Sequence, residues 1–194
     1  EVKSRTYIDA GEIARDVIRR IGYTKSEYMF EATSCGVFSA IHEQSPDINQ
    51  GVDRASKEEQ GAGDQGIMFG YATDETDTYM PLALELSHLL LRELAAIRKE
   101  GKIMKYLRPD AKSQVTLRYE GSLPVAATAV VVSTQHAKGY DEGDKEAELH
   151  AYVKRVVADV NPPVLLRETE YHITPTGSFE IGGPEGDAGL TGRK

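Results

Sequence analysis

The sequence predicts an α+β protein in which helices pack on one face of mixed sheets. Segments 81–99 and 144–160 carry apolar residues at helical spacing, so each predicts an amphipathic helix. Segments 113–119 and 125–135 are rich in strand-forming residues and are joined through Gly121, which predicts a β-hairpin. Because strands and helices do not alternate strictly and a hairpin is present, α+β is favoured over a doubly wound sheet.

The first part of the chain predicts a strand followed by a helix. Residues 2–8 alternate between polar and apolar, as a strand does. Asp9 and Glu12 resemble a capping pair, so we expect a helix to begin there and to run as far as Ile21. Gly22 follows, and glycine is suited to the left-handed backbone that ends many helices.

Three shorter segments are also predicted as strands. Segments 34–41 and 67–73 are mostly apolar or small, and 171–174 is a short strand that enters a glycine-rich run. Segment 44–60, in contrast, is polar and rich in turn-forming residues. A loop of this length without secondary structure of its own is usually functional or disordered.

The composition is that of a soluble globular protein, with 40% apolar and 28% charged residues among 194. The net charge of −8 predicts that the protein repels nucleic acid. A single cysteine, Cys35, rules out a disulfide framework, and its apolar context predicts a small buried side chain. No apolar run is long enough to span a membrane and we find no signal peptide, so we expect a cytoplasmic protein without a membrane partner.

Two glycine-rich runs are the most informative local features. The first, 60–71, surrounds Asp64, and the second, 182–194, ends in Arg193 and Lys194. Glycine allows a backbone to approach a ligand or another chain closely. Bare N–H groups beside two cations are suited to an anionic ligand.

Neither run matches a common nucleotide motif in its required context. Residues 61–66 fit GxGxxG, but charged residues precede them and a predicted strand follows, which argues against a dinucleotide site. The end of the second run has Arg193 where a P-loop needs Lys, and no Ser or Thr follows it.

Five motifs in a fixed order identify a family. They are 44–51 (QSPDINQG), 61–66 (GAGDQG) with Gly70 and Tyr71 after it, 107–115 (LRPDAKSQV), 133–136 (STQH) and 182–194 (GGPEGDAGLTGRK). The series closely resembles the S-adenosylmethionine synthetases over essentially the whole chain. It corresponds to an internal part of that family's longer chain, so flanking segments are expected on both sides.

The resemblance implies a multi-domain architecture that is incomplete in this chain. Residues 1–43 would form part of one α/β subdomain, and 44–60 would be a mobile active-site loop. Residues 61–175 would form a strand-helix-hairpin-helix subdomain. Residues 176–194 would be a glycine-rich substrate loop that leads into a further part.

The resemblance also implies a reaction. The family forms S-adenosylmethionine from ATP and L-methionine by attack of sulfur on C5′, and then hydrolyses the triphosphate to phosphate and pyrophosphate. We therefore expect a methionine adenosyltransferase that uses Mg²⁺ and K⁺, with the metal ligands in the missing N-terminal part. The family builds its sites between subunits, which implies a homodimer or homotetramer. This chain alone is expected to be inactive.

The resemblance assigns roles residue by residue. The catalytic cations on the triphosphate would be Lys112, Arg193 and Lys194. The methionine contacts would be Gln44, Asp64 and Asp187. The ATP contacts would be Asp110, Ala111, Lys112, Ser178, Phe179, Asp187, Arg193 and Lys194. The flexible loop would include Gln44, Asp47, Gly51 and Arg54. Ser178 departs from the family, which usually has Arg or Lys there, so only a backbone or packing contact is carried over.

Each assignment has a simpler alternative. Asp64 would otherwise cap its own turn, Asp110 and Lys112 would form a surface ion pair, and Phe179 would belong to the core. His136 is expected to be a core or hydrogen-bonded histidine without a catalytic role. For the whole chain, the alternatives are a non-catalytic regulatory or degenerate paralogue that binds a true synthetase, and a generic nucleotide-binding module.

Overall fold

A computed structural model describes residues 6–160 and 168–188. The helices are α1 (Ala10–Ile21), α2 (Pro46–Val52), α3 (Leu82–Glu100) and α4 (Lys145–Val160). The strands are β1 (Leu107–Glu120), β2 (Leu123–His136) and β3 (Glu170–Ile173). Single turns of 3₁₀ helix occupy Ser26–Tyr28 and Gly183–Glu185.

The three strands form one mixed sheet in the order β1-β2-β3. Strands β1 and β2 are an antiparallel hairpin, and Gly121 in its turn has a φ of 64°, as glycine allows. Strand β3 lies parallel to β2, and α4 lies between them in the chain. A parallel pair needs such a crossover connection. The predicted hairpin, the predicted strand near 171–174 and the α+β class are therefore confirmed.

The core lies between this sheet and the two long helices. Leu86 and Leu90 of α3, Leu149 of α4, and Val130 and Val132 of β2 belong to one buried cluster. Since Val130 and Val132 share a face of the strand, both helices cover that same face. The helical spacing of apolar residues thus predicted both helices correctly, and the packing on one face is confirmed.

Helix α1 begins and ends where the sequence predicts. The carboxylate of Asp9 accepts a hydrogen bond from the Glu12 N–H at 3.0 Å. Gly22 has a φ of 118° and caps the other end. Arg98 of α3 donates to the carbonyl of Ile21 at 2.7 Å. A cation at the C-terminal end of a helix is favourable, so this contact ties α1 to α3.

Strands are predicted at residues 2–8, 34–41 and 67–73, and these predictions are wrong for every residue of these segments that the structure describes. The structure has no strand at 6–8, 34–41 or 67–73. Strand-like composition is not sufficient, because a strand also requires a neighbour that pairs with its N–H and C=O groups. Ile67, Met68 and Phe69 are instead 84%, 87% and 94% exposed.

The prediction that 44–60 lacks secondary structure is also wrong, because this segment contains α2. Pro46 is at the start of the helix, where its missing N–H removes no helical hydrogen bond. Asn49 donates to the carboxylate of Asp53 at 2.9 Å across the last turn. The Gly61 N–H then donates to the carbonyl of Val52 at 3.0 Å and closes the segment on itself.

Glu75 fixes the start of α3, where Pro81 offers no side-chain cap. Its carboxylate accepts from the Leu82 N–H at 2.9 Å and from the Tyr119 hydroxyl at 2.8 Å. The hydrogen bond from the Leu82 N–H lowers the pKa of Glu75, and the hydrogen bond from Tyr119 adds a smaller lowering effect. Burial and this carboxylate raise the pKa of Tyr119 to about 12. None of the helices in the described part of the chain is long and apolar enough to cross a membrane.

Two leucines on α3 give a direct test of the core. Leu90 is 2% exposed and Leu84 is 39% exposed, and the change Leu→Ala alters helix propensity equally at both. We expect Leu90→Ala to lower the free energy of unfolding by about 2–5 kcal/mol through lost contacts and a cavity. Leu84→Ala should cost less than about 1 kcal/mol. Denaturant unfolding followed by circular dichroism measures both, and equal losses would contradict the core described above.

Candidate active site

The candidate site lies where β1 begins and β2 ends. The antiparallel register pairs Leu107 with His136 and Ala111 with Thr134. The register shifts between these two pairs, so Asp110 lies in an irregular stretch of β1. Such bulges re-aim side chains and are common beside functional sites. The hairpin thus brings Asp110 beside Gln135, whose side-chain oxygen accepts from the Asp110 N–H at 3.4 Å.

A tight turn after β3 returns the chain to the end of β2. Thr174 and Gly177 have φ angles of 43° and 82°, and the Gly177 N–H donates to the carbonyl of Thr174 at 2.9 Å. The His136 N–H then donates to the carbonyl of Phe179 at 2.9 Å. Residues 176–194 are predicted as a substrate loop, and the described part of this loop is therefore held at Phe179 against the end of β2.

Gly182 and Gly183 allow this segment to approach Asp110 closely. One carboxylate oxygen of Asp110 accepts from the Gly183 N–H at 2.8 Å. A Cβ at Gly182 would lie 3.0 Å from that oxygen and 2.9 Å from the amide carbon of Gln135. The second glycine run thus permits close approach to the protein's own side chains, whereas the predicted approach to a ligand or another chain stays a prediction.

Tyr23 closes the site from the N-terminal side. A Cβ added at Gly183 would overlap its hydroxyl, and Tyr23 itself is buried. Burial and then the charge of Asp110 raise the pKa of Tyr23, so the phenol is neutral at ordinary pH and can donate a hydrogen bond. No sequence pattern marks Tyr23, because it is far from Asp110 in the chain and only the fold brings the two residues together.

Several of the predicted ATP contacts come together here. Asp110 accepts from the Gly183 N–H, and Phe179 pairs with His136 at the end of β2. The Asp187 N–H donates to the carbonyl of Gly183 at 3.2 Å. Ser178 is exposed next to Phe179. Asp187 itself is exposed.

Ala111 and Lys112 differ in their surroundings. Ala111 lines a cavity of about 250 Å³ between α1, α3 and β1, together with Ile21 and Arg98. Its side chain therefore points toward the helices. Lys112 pairs with Ser133 across the hairpin, and its side chain is exposed. Alternation along the strand directs Lys112 to the opposite side from Ala111.

The predicted methionine contacts Gln44 and Asp64 lie on other segments. Gln44 is half-buried just before α2. Asp64 is exposed, and its carboxylate accepts from the Gln65 N–H at 2.8 Å, which is the turn-capping arrangement that was its simpler alternative. Their role in binding methionine stays a prediction.

The remaining predicted residues fall into two groups. Asp47 and Gly51 lie in α2, and Arg54 follows it as an exposed side chain. Arg193 and Lys194 lie outside the described residues. Within residues 6–160 and 168–188 no group of three or more His, Cys, Asp or Glu side chains is placed to hold a metal ion.

The structure corrects the expected burial of Cys35 and agrees with the expected surroundings of His136. Cys35 is half-buried rather than buried, since the segment around it is not a strand of the sheet. Its sulfur lies 3.7 Å from Arg15 Nη1. His136 is 2% exposed and hydrogen-bonded at the end of β2, as expected.

Two models of one protein family match the chain. The model of the S-adenosylmethionine synthetase central domain matches residues 59–179, and that of the N-terminal domain matches residues 1–46.

Curated relatives match along the chain. An S-adenosylmethionine synthase from Cytophaga hutchinsonii is 61% identical over 208 aligned residues, which cover 100% of this chain and 49% of the relative. One from Flavobacterium johnsoniae is 60% identical, with 100% and 49% covered. One from Novosphingobium aromaticivorans is 67% identical, with 93% and 44% covered. The chain spans about half the length of the curated relatives it matches. The central-domain model matches more than half of the residues of this chain, so the chain belongs to the S-adenosylmethionine synthetase family.

Proposed function

We propose that this chain is part of a methionine adenosyltransferase, which forms S-adenosylmethionine from ATP and L-methionine. The observation that carries the proposal is the match along the chain, at about 60% identity, to relatives named S-adenosylmethionine synthase. The cluster of Asp110, Phe179 and Gly183 at one end of the sheet supports it. Such a cluster offers a carboxylate oxygen and an aromatic ring to a nucleotide.

The proposed reaction is a displacement at carbon. The methionine sulfur forms a bond to C5′ of ATP while the bond from C5′ to the triphosphate oxygen breaks, and the triphosphate takes the electron pair. Hydrolysis then yields phosphate and pyrophosphate. A neutral thioether is already nucleophilic, so this step needs no general base. It needs alignment of the two substrates and stabilisation of a leaving group with several negative charges.

The described residues have distinct parts in this proposal. Asp110 uses one carboxylate oxygen for Gly183, and we assign its other oxygen to a ribose hydroxyl. The ring of Phe179, which is half-buried, would pack against adenine. Lys112 would stabilise the triphosphate, and we assign Arg193 and Lys194 the same task.

Methionine would be held by polar side chains from three segments. We assign its polar groups to Gln44 and Asp64, where the carboxylate of Asp64 suits an ammonium group. Asp187 would contact both substrates. These assignments follow the family resemblance. The proposed division of the chain into subdomains on either side of segment 44–60 follows it as well.

Mg²⁺ and K⁺ belong to the proposal only as expectations. The described residues contain no cluster of three or more potential metal-ligating side chains. The resemblance assigns their ligands to segments outside this sequence. A cytoplasmic location is likewise proposed, on the basis of the single cysteine.

The phosphate cation can be tested in the complete protein. Lys112→Ala should remove a charged contact with the leaving triphosphate and lower turnover roughly 10²-fold or more at saturating ATP and Mg²⁺. Arg193→Ala should act in the same way. Lys102→Ala is the matched control, because Lys102 is exposed and pairs with Glu100 at the end of α3. Formation of S-adenosylmethionine from ATP and methionine is the measurement.

Two outcomes of this assay would change the proposal. If Lys112→Ala and Arg193→Ala both keep near-normal turnover, the assignment of the phosphate cations is wrong. If the wild-type complete protein forms no S-adenosylmethionine yet binds an active synthetase, the chain belongs to the non-catalytic paralogue instead.

Segment 44–60 is proposed as the lid of the site. Most of its side chains are exposed, and only Val52 of α2 is buried, so opening should require little free energy. We expect faster backbone hydrogen exchange in the complete protein without substrates than with ATP and methionine bound. Helix α3 provides the internal control, with similar protection in both states. Equal protection of 44–60 in both states would make it a connector and would remove Gln44 from the methionine site.

The complete protein is proposed to be a homodimer, or a pair of such dimers, with its sites between subunits. Exposed apolar side chains support this, since the consecutive residues Ile67, Met68 and Phe69 are 84%, 87% and 94% exposed and exposed apolar patches mark interfaces. We expect sedimentation at micromolar concentration to show a dimer or tetramer, because an interface of this kind is obligate. Observation of monomer alone would refute the proposal.

A further inference from the structure

We propose that His136 and Gln135 are positioning residues that hold segment 178–183 in place and so present Phe179 and Asp110 together to the adenosine part of ATP. The choice of ligand rests on the proposed function. The positioning itself rests on contacts within this chain, and nothing in the family match assigns either residue a role.

The hydrogen bonds of His136 determine its tautomer. The Phe179 N–H lies 2.8 Å from Nε2 of His136. A backbone amide can only donate, so Nε2 must offer a lone pair. The proton of the neutral ring is therefore on Nδ1, which donates to the carbonyl of Ala137 at 2.9 Å. Both ring nitrogens are used, and each has one possible role.

His136 also holds Phe179 through its backbone. Its N–H donates to the carbonyl of Phe179 at 2.9 Å, so both backbone groups of Phe179 are paired with one residue. The His136 ring stacks on Tyr140, with centroids 4.2 Å apart and an interplanar angle of 21°. The imidazole is therefore held rigidly by its packing as well as by its hydrogen bonds.

Gln135 makes the second attachment. Its Nε2 donates to the carbonyl of Glu180 at 2.9 Å, and its Oε1 accepts from the Asp110 N–H at 3.4 Å. One side chain thus joins β1 to the segment. The Gly183 N–H completes the connection on the Asp110 carboxylate at 2.8 Å.

These contacts are needed because the segment belongs to no strand. A single 3₁₀ turn, Gly183–Glu185, begins at its last residue. Its position against β1 and β2 is consequently set by side chains and by the one backbone bond to His136. Loss of the imidazole acceptor leaves the Phe179 N–H unpaired next to buried groups, which favours detachment of the segment.

Two substitutions of similar polarity separate this role from simple packing. In His136→Gln, the longer side chain can place an oxygen where Nε2 was and accept from Phe179. In His136→Asn, the shorter side chain reaches only the position of Nδ1. We expect Asn to raise the KM for ATP about tenfold and Gln to change it little, because only Asn loses the acceptor. The KM for methionine should change less than that for ATP in both variants.

Backbone hydrogen exchange of the complete protein without substrates gives a readout that does not require activity. We expect the amides of 178–183 to exchange about tenfold faster in His136→Asn than in wild type or His136→Gln. His88→Asn, on the exposed side of α3, is the control and should leave them unchanged. If the protein forms no S-adenosylmethionine but the exchange pattern is as expected, the proposed function fails and the positioning role stands.

Three results would overturn the positioning role. One is equal exchange and equal KM for ATP in His136→Asn and His136→Gln. Another is rapid exchange of 178–183 in the wild-type protein itself. Should His136→Asn not fold, Gln135→Met removes the donor to Glu180 at nearly constant side-chain size, and an unchanged segment in that variant would also reject the proposal.

Discussion

The register between β1 and β2 is the constraint on which the described site depends. It places Ala111 opposite Thr134, and so brings Asp110 beside Gln135. The same register directs Val130 and Val132 of β2 into the core beneath α3 and α4. A slip of one residue would turn these valines to the other face of the sheet. The free energy of core packing therefore also fixes the position of the Asp110 carboxylate.

Close approach of backbone to side chain is the second requirement of the site. Gly182 leaves no room for a Cβ beside Gln135 and Asp110, and Gly183 leaves none beside the Tyr23 hydroxyl. The glycines thus let the segment reach the sheet, and the Gly183 N–H is used by the Asp110 carboxylate. Arg98 stabilises the position of Tyr23, because its hydrogen bond to the carbonyl of Ile21 holds the C-terminal end of α1, and Tyr23 follows shortly after that end.

Local patterns predicted the elements whose stability is largely local. Helix α1 follows from the Asp9 cap and Gly22, α3 and α4 follow from helical spacing, and the hairpin follows from Gly121. The predictions of strands at 34–41 and 67–73 are wrong because a strand requires a second strand that pairs with it, and the sequence of one segment does not show whether such a strand exists. Helix α2 was missed because its sequence is polar and short, and its start is marked only by Pro46.

The candidate site was predictable to a similar extent. The motif order predicted that Asp110 and Phe179 share a site, which stays a prediction, and the structure brings the two residues into one hydrogen-bonded arrangement. Tyr23 and the positioning contacts of Gln135 and His136 could not be found in this way. They depend on pairs of residues far apart in the chain, for which no spacing rule exists. The tautomer of His136 in particular follows only from the direction of the Phe179 N–H.

The parallel pairing of β2 and β3 has a consequence for the order of folding. The contact between Asp110 and Gly183 joins residues 73 positions apart, and it can form only after α4 has crossed over and β3 has docked. Closing so long a loop is entropically costly and slow relative to hairpin formation. During folding the hairpin and helices can therefore be in place while segment 178–183 is still detached. In the folded protein, opening of that segment alone can dismantle the site while the core remains intact.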